Sequence, residues 1–572
     1  MAEMVLSGDE AIAQGAFDAG VIGAFAYPGT PSTEIMEYLQ DNLEAHKNKL
    51  FEAGVPKTLC DTIVAQWCTN EKTAYESALG ASFVGRRAMV SMKHVGLNVA
   101  MDPFTNSALA RINGGLVVVV ADDPFMHSSQ DEQDSRVLAD FARVPCFEPS
   151  DQQEAYDMAR LAFEYSEQHE VPVLLRLTTR LAHARAMVQT REARAPATKP
   201  KADDRKGWIL MPAMARARWK VLLEKNQTFR RDAEQANTLQ LRSKKLGVIA
   251  CGLGIAYYLE NEADWNAQNA QNAQNAQKPK ASQSQASSPD DGGTTMDQAP
   301  SLLRITRYPI AHDKIQALAN HVERLLVIEE GYPFVEREVR GVFGAPIPVA
   351  GKMSGEIPLD GELSSDTVRS ALGLAPLPQL PPPAIKIPGR PPQFCQGCPH
   401  ADSISALKEA LAGETDYYVA SDIGCYTLAS LPPYEAVESC IDMGASVGMA
   451  RGASTVGQKK AIGVVGDSTF YHSGMTNLLD AVSHKTPFTL IIMDNSTTGM
   501  TGAQPTISPT SKLPALLAGL GVEPNHIREL ASLKKNQSQN AAVIREELAY
   551  DGVSVIIMER ECLEYLKKAR KA

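Results

Sequence analysis

No apolar run in this sequence approaches the roughly 20 residues that a bilayer-crossing helix needs, so no transmembrane span is expected. The opening residues, MAEMVLSGDEAIAQGAFDAG, lack a basic stretch and a long apolar core, which argues against a secretory signal peptide. Positive charge is in deficit. The formal net charge of −11 argues against nucleic acid and against an anionic membrane surface as partners. Cysteine is sparse, nine in 572 residues. Without a leader, such thiols point to metal binding, catalysis or burial rather than to disulfides. A cytoplasmic protein is expected.

Apolar residues make up 44% of the chain and charged residues 22%, ordinary values for a globular protein with a sizeable core. The length suggests about three to four domains. Residues 1–190 alternate strand-like and helix-like segments. The run 21–27 ends in Pro28-Gly29-Thr30-Pro31, and Ser32 opens a helical pattern whose apolar positions are Ile35, Met36 and Leu39. Segment 70–81 is helical, and 88–92, 116–121 and 171–177 read as buried strands. This βα alternation predicts a parallel sheet covered on both faces, hence an α/β fold. Residues 191–245 read as a charged, helical connector.

A second βα block, 246–373, opens at Leu246. Its Gly252-Leu253-Gly254 lacks the third glycine of a dinucleotide fingerprint. Four tandem Asn-Ala-Gln units at 266–277 and a Ser/Gln/Lys tract follow. Too little apolar surface is available there to offset ordering, so a disordered insertion is expected over about 262–300. A proline-rich linker, 374–392, leads to a third α/β block, 393–572, with strands at 461–465, 488–493 and 553–558.

Gly466-Asp467-Ser468 follows the first of those strands, and Asp494-Asn495-Ser496-Thr497 follows the second. Taken alone, each is an ordinary turn. Paired after neighbouring strands, they offer hard oxygen ligands for a divalent cation carrying a diphosphate: Asp467, the Asn495 side chain and the Thr497 carbonyl. Mg²⁺ suits such a set, and Gly466 would let backbone approach the ligand.

Gly466-Asp467 and Asn495 together resemble the thiamine-diphosphate signature, with Ser468 where the general pattern has glycine. The stretches GVVGDSTFYHSG, MDNSTTGMTGAQ, AYPGTPSTE, MKHVGLNVA and FCQGCPHADS are similar, in order and over nearly the whole chain, to the 2-oxoacid:ferredoxin oxidoreductases, the indolepyruvate-type large subunits above all. The resemblance implies several thiamine-diphosphate-type parallel-sheet domains. These would be a pyrimidine-binding domain at 1–190, a transketolase C-terminal-like module at 246–373 and a diphosphate-binding domain at 393–572. It makes Glu71 the carboxyl group that contacts the aminopyrimidine. It places Thr30 toward the substrate carboxylate, and Lys93 and His94 along the active cleft. Each also has a bland reading, as a capping, loop or solvated strand-end residue. His472 stays open between the diphosphate and the core.

A [4Fe–4S] cluster needs four thiolates. Cys395 and Cys398 form a Cys-x-x-Cys pair, Cys425 follows Gly424, and Cys562 follows the last strand. The resemblance maps the cluster onto these four, with Cys440 as the rival to Cys562 and Gly424 beside the cofactor. A zinc site using His400 is the alternative metal reading. Cys60, Cys68, Cys146 and Cys251 read as buried thiols. The implied activity is oxidative decarboxylation of a 2-oxo acid, an aryl pyruvate such as indolepyruvate or phenylpyruvate, to the acyl-coenzyme A. A beta subunit and ferredoxin or another acceptor are implied as partners. Relatives continue into a ferredoxin-like segment of repeated cysteines. This chain stops ten residues after Cys562, so that segment is expected to be missing and the acceptor stays open. Against this stand a non-oxidative thiamine-dependent decarboxylase, which would not need the cysteines, and a non-catalytic scaffold.

Overall fold

The computed structural model describes residues 2–196, 198–200, 205–276, 299–310, 312–378, 392–507 and 512–569. Two compact units make up the chain, Met1–Pro381 and Pro382–Ala572. The structure is α/β throughout, with parallel sheets in both units.

The first unit holds a seven-stranded sheet in the order Arg307–Tyr308, Cys146–Phe147, Val173–Thr178, Leu116–Asp122, Ala88–Lys93, Gly23–Ala26, Val64–Trp67. All neighbours are parallel except the first pair. Leu116–Asp122 is buried at every position, because helices cover both faces. Three adjacent strands, Val64–Trp67, Gly23–Ala26 and Ala88–Lys93, send their carboxyl ends toward Glu71, Thr30 and His94, the crevice where open α/β sheets bind ligands.

A second sheet in the same unit runs Val349–Ala350, Leu325–Ile328, Ser243–Cys251, Pro300–Ile305, Thr238–Gln240, with only the last strand antiparallel. The expected connector is chiefly one helix, Pro212–Ala236, whose Leu222, Phe229 and Ala233 are buried. Its continuation Thr238–Gln240 already belongs to the second sheet. Conversely, Arg307–Tyr308, deep inside the second block, joins the first sheet. The two sheets are therefore interlocked, and the chain positions 190 and 246 do not mark where they separate.

Between them lies a buried ionic network. Arg136 bonds Asp134 through Nε at 2.9 Å and lies 3.1 Å from Glu329; Arg176 bonds Asp122 at 2.7 Å and also holds Glu148. Both guanidinium groups are fully buried. Breaking such a pair from one side costs about 3–5 kcal/mol, because it strands a buried charge.

The Asn-Ala-Gln units depart from the expected disorder. They extend the helix Gly254–Ala276. Alanine and glutamine favour helix and the repeat holds no breaker, while buried Tyr258 and Trp265 dock the helix's first turns. The rest of that insertion, 277–298, and most of the proline-rich linker, 379–391, lie outside the described residues.

The second unit is a six-stranded parallel sheet in the order Ser439–Cys440, Tyr418–Ser421, Ala461–Gly466, Phe488–Asp494, Val553–Glu559, Ile527–Ala531. Alternate strand residues feed two cores. Val464, Ile491 and Ile556 pack with Ile404 and Ile544 on one face; Val465, Ile492 and Ile557 pack with Val447 and Leu478 on the other. Among the described residues no helix is long and apolar enough to cross a membrane.

Candidate active site

Strands Ala461–Gly466 and Phe488–Asp494 are neighbours, with Gly466 opposite Met493. Their ends deliver Asp467 and Asn495 to one edge, both buried. The Asp467 carboxyl is held well above the usual range, first by burial and then by Asp494 beside it. Two carboxylates crowded in a dry place need protons or a cation to neutralise them, and Asp467 with an amide and a backbone carbonyl fits a hard divalent ion. The turn is rigid. Ser496 takes a left-handed backbone, φ 62°, its N–H donates to Asp494 at 3.0 Å, and the Thr497 N–H donates to Asn495 Oδ1 at 3.1 Å. Ser468 Oγ meets Thr498 Oγ1 at 3.0 Å, tying the two motifs together.

Gly466 is also constrained from within the protein. A Cβ there would stand 2.8 Å from the Tyr426 ring, and a Cβ on Gly424 would also strike that ring. Both glycines make room for Tyr426, whose hydroxyl holds buried Asp422. Burial pushes Asp422 up to about 7, against the hydrogen bonds from Ser446 and Tyr426. His472 is buried, with Nδ1 2.5 Å from Ser473 Oγ.

Four thiols gather at the same edge. A Cβ on Gly499 would stand 3.5 Å from Cys425 Sγ, 3.9 Å from Cys562 Sγ and 3.5 Å from Asn495 Nδ2. Cys425 is raised to about 12, by burial first and then by Cys398, Cys562 and Cys395. Cys395 and Cys562 likewise raise Cys398, behind burial. Among the described residues no three of these sulfurs lie within 4.8 Å of one another. Cys440 faces elsewhere. Its Sγ reaches Thr427 Oγ1 at 3.8 Å, and the charges acting on it are Asp422 and Asp442. His400 is buried, its ring edge-on to Tyr426 with centroids 5.9 Å apart. Cys60, Cys146 and Cys251 are buried and Cys68 is half-buried.

In the first unit Glu71 is buried at the start of the helix Glu71–Phe83, capped by Asn70, whose side chain accepts from the Thr73 N–H at 2.8 Å. Gly96 lies against it: a Cβ there would stand 2.6 Å from Glu71 Oε1. Lys93 Nζ donates to the Ser128 carbonyl at 3.0 Å, and Ser128 Oγ donates to the Thr30 carbonyl at 3.0 Å. Burial lowers the Lys93 ammonium, against Asp123, Asp131 and Glu71. Thr30, Lys93 and Glu71 are thus brought together. His94 is fully buried and turned to the loop at Asp131, with Nε2 3.3 Å from its carbonyl.

Comparison with known proteins bears on what these two arrangements serve. Residues 14–240 match the family model for the thiamine-diphosphate-binding part of pyruvate flavodoxin/ferredoxin oxidoreductases, and 422–558 match the C-terminal binding domain of thiamine pyrophosphate enzymes. Indolepyruvate oxidoreductase subunit IorA of Archaeoglobus fulgidus is 35% identical, covering 100% of this chain and 88% of its own length. Its counterpart in Methanothermobacter thermautotrophicus is 33% identical over 98% of this chain and 87% of its own. The chain belongs to the indolepyruvate oxidoreductase IorA family. It is thus an alpha-type subunit of the thiamine-diphosphate-dependent 2-oxoacid:ferredoxin oxidoreductases. A solved 2-oxoglutarate:ferredoxin oxidoreductase from Magnetococcus marinus is similar over 65% of each chain, with 13% identity and a TM-score of 0.46.

Several residues of this IorA-family chain escaped sequence reasoning. Arg560 donates to Asp402 at 2.7 Å, to the Ser532 carbonyl at 2.7 Å and to the Gly397 carbonyl, clamping the Cys-x-x-Cys turn to the last strand. Ser128 sits on a loop anchored by Asp123, which accepts from its N–H at 2.8 Å and from Ser129 Oγ at 2.6 Å. Gly96 lay inside the MKHVGLNVA stretch but gave no sign of its neighbour, since nothing in its own flanks encodes Glu71.

Proposed function

We propose that this chain, with a smaller second subunit, binds thiamine diphosphate and Mg²⁺ and oxidatively decarboxylates an aryl 2-oxo acid to the acyl-coenzyme A. Electrons leave one at a time through a [4Fe–4S] cluster on Cys395, Cys398, Cys425 and Cys562 to ferredoxin or another acceptor. The observation that carries this reading is the crowding at Gly499. The amide of Asn495 and the thiols of Cys425 and Cys562 lie around one backbone position, so a cation-bound diphosphate and an electron acceptor would be near neighbours.

Asp467, Asn495 and the Thr497 carbonyl would hold the cation and through it the diphosphate. Bound thiamine diphosphate supplies an electron sink for decarboxylation. Glu71, buried at a helix start, holds and exchanges a proton at the aminopyrimidine nitrogen. Lys93 offers its ammonium to the substrate carboxylate, and Thr30 shapes the same pocket. Cys395, Cys398, Cys425 and Cys562 would hold the cluster, which would supply one-electron transfer away from the site.

The test is anaerobic purification with the partner subunit, followed by iron and sulfide analysis and a panel of 2-oxo acids scored by reduction of a low-potential dye. Four iron and four sulfide per chain, with dye reduction fastest for aryl pyruvates, are expected. Aldehyde release without dye reduction would overturn the oxidative reading.

A further inference from the structure

Away from the residues above, one buried carboxyl group in the first unit is left without an explanation. Asp9, in the first turn of the helix Gly8–Asp18, is fully buried, and neither carboxylate oxygen has a hydrogen-bond partner. An acid in a first turn is favoured by the helix dipole, but no donor reaches its oxygens. Its sequence neighbour shows the contrast. Glu10 accepts from the Ser7 N–H at 2.9 Å and from Arg185 at 2.6 Å.

What Asp9 does face is Glu34 and His183. One ligand atom from each of the three residues lies within 4.8 Å of the others. Glu34 stands in the first turn of the helix Thr33–Glu52, and His183 ends the short helix Thr179–His183. His183 Nε2 is 3.7 Å from Glu34 Oε1, a loose ion pair in which Glu34 raises the imidazole's proton affinity. That separation is near the edge of a tetrahedron whose ligands sit at about 2.1 Å, which is about 3.4 Å. Glu34 Oε2 is itself buried and unpartnered. An ordinary histidine–carboxylate pair would leave all three of these buried oxygens unmet, an unfavourable arrangement for desolvated acceptors.

We propose that Asp9, Glu34 and His183 bind a divalent transition-metal cation of the zinc class. One imidazole and two carboxylates suit Zn²⁺ or Mn²⁺ better than Mg²⁺ or Ca²⁺, which prefer oxygen alone. The side chains of His183 and Glu34 are 41% and 45% exposed, so an ion and a fourth, water ligand have an entry path. The backbone is already set for it. A Cβ on Gly8 would stand 2.3 Å from the Leu181 carbonyl, so the segments carrying Asp9 and His183 touch directly. The ion would join three elements and pin the segment in which Thr30 lies four residues before Glu34.

The test uses the full chain with its partner subunit, held anaerobic with excess thiamine diphosphate and Mg²⁺ so that the other metal sites stay filled. Zn²⁺ is titrated into the wild type, Asp9→Asn and His183→Gln, and zinc and iron are counted together. One more tightly held zinc per chain is expected in the wild type than in either variant. Zinc affinity should fall by about 100-fold or more on loss of a direct ligand, beyond what loss of an outer-shell partner costs, with iron unchanged. Zn²⁺ should raise the Tm of the wild type alone. Equal zinc content in all three proteins overturns the site. Anomalous scattering at the zinc edge from soaked wild-type crystals decides independently of variant folding: a peak among the three side chains supports it, and none there overturns it.

Discussion

Gly96 and Glu71 are in contact so close that a single methyl group on the glycine would stand 2.6 Å from the glutamate's Oε1. The glutamate has little freedom to retreat, since it is buried at the capped start of its helix. Gly96→Ala should therefore displace the carboxyl group. Turnover is expected to fall at least tenfold, at a stability cost of about 1–3 kcal/mol from overpacking. Glu71→Gln, which keeps the shape, should lower turnover by about 10²–10⁴-fold with Tm nearly unchanged. Wild-type rates in both variants would remove Glu71 from the chemistry.

The two rival cysteines separate cleanly. Cys562→Ser is expected to lose iron and acid-labile sulfide, whereas Cys440→Ser keeps both, because of the two only Cys562 acts on Cys398 and Cys425. The reverse pattern in the iron assay would exchange their roles.

Arg560 is a positioning residue, holding Gly397, Asp402 and Ser532. Arg560→Ala should speed iron loss to a chelator by about 10–100-fold, the usual effect of losing an outer-shell partner. Thiamine diphosphate affinity should stay close to wild type. Unaltered iron retention would make the clamp purely structural.

Asp422 predicts a pH dependence. Its folded value, pushed up to about 7 by burial, exceeds the ordinary 3.8, so the folded state binds the extra proton between those two values. Stability contributed here is present below about pH 4 and is lost as pH rises through 7, by about 4 kcal/mol in all. Asp422→Asn should gain stability relative to wild type across pH 4 to 7, measured by urea unfolding. A difference flat with pH would contradict the raised value.

Metal binding should release protons. Asp467 must ionise to serve Mg²⁺, and its carboxyl is held high by burial and Asp494. Calorimetry of thiamine diphosphate with Mg²⁺ in buffers of different ionisation enthalpy should show net proton release, with affinity rising as pH rises. Asp467→Ala should abolish uptake.

Local signals carried much of this picture. The paired turns at Asp467 and Asn495 each follow an unbroken apolar strand, so their place at a sheet edge could be read from the chain, as could the α/β class. The Cys-x-x-Cys pair was visible for the same reason. What stayed hidden depends on contacts between distant segments. Ser128 and Lys93 are 35 residues apart, and Arg560 and Asp402 are 158 apart. Gly466 was legible as a special position, but its contact with the Tyr426 ring was not. The Asn-Ala-Gln triplets misled by composition, since low apolar content does not forbid a helix whose first turns are docked.

The interlocked sheets carry a consequence for engineering. The block 246–373 contributes none of the proposed catalytic groups, which invites its excision. Yet Arg307–Tyr308 shields the outer strand of the first sheet, and Glu329 joins Asp134 in pairing with Arg136. Trimming that block would unveil a naked strand edge at Cys146–Phe147, an invitation to edge-to-edge aggregation, and would strip Arg136 of one of its carboxylate partners. The catalytically silent part is the one a minimal version of this subunit cannot do without.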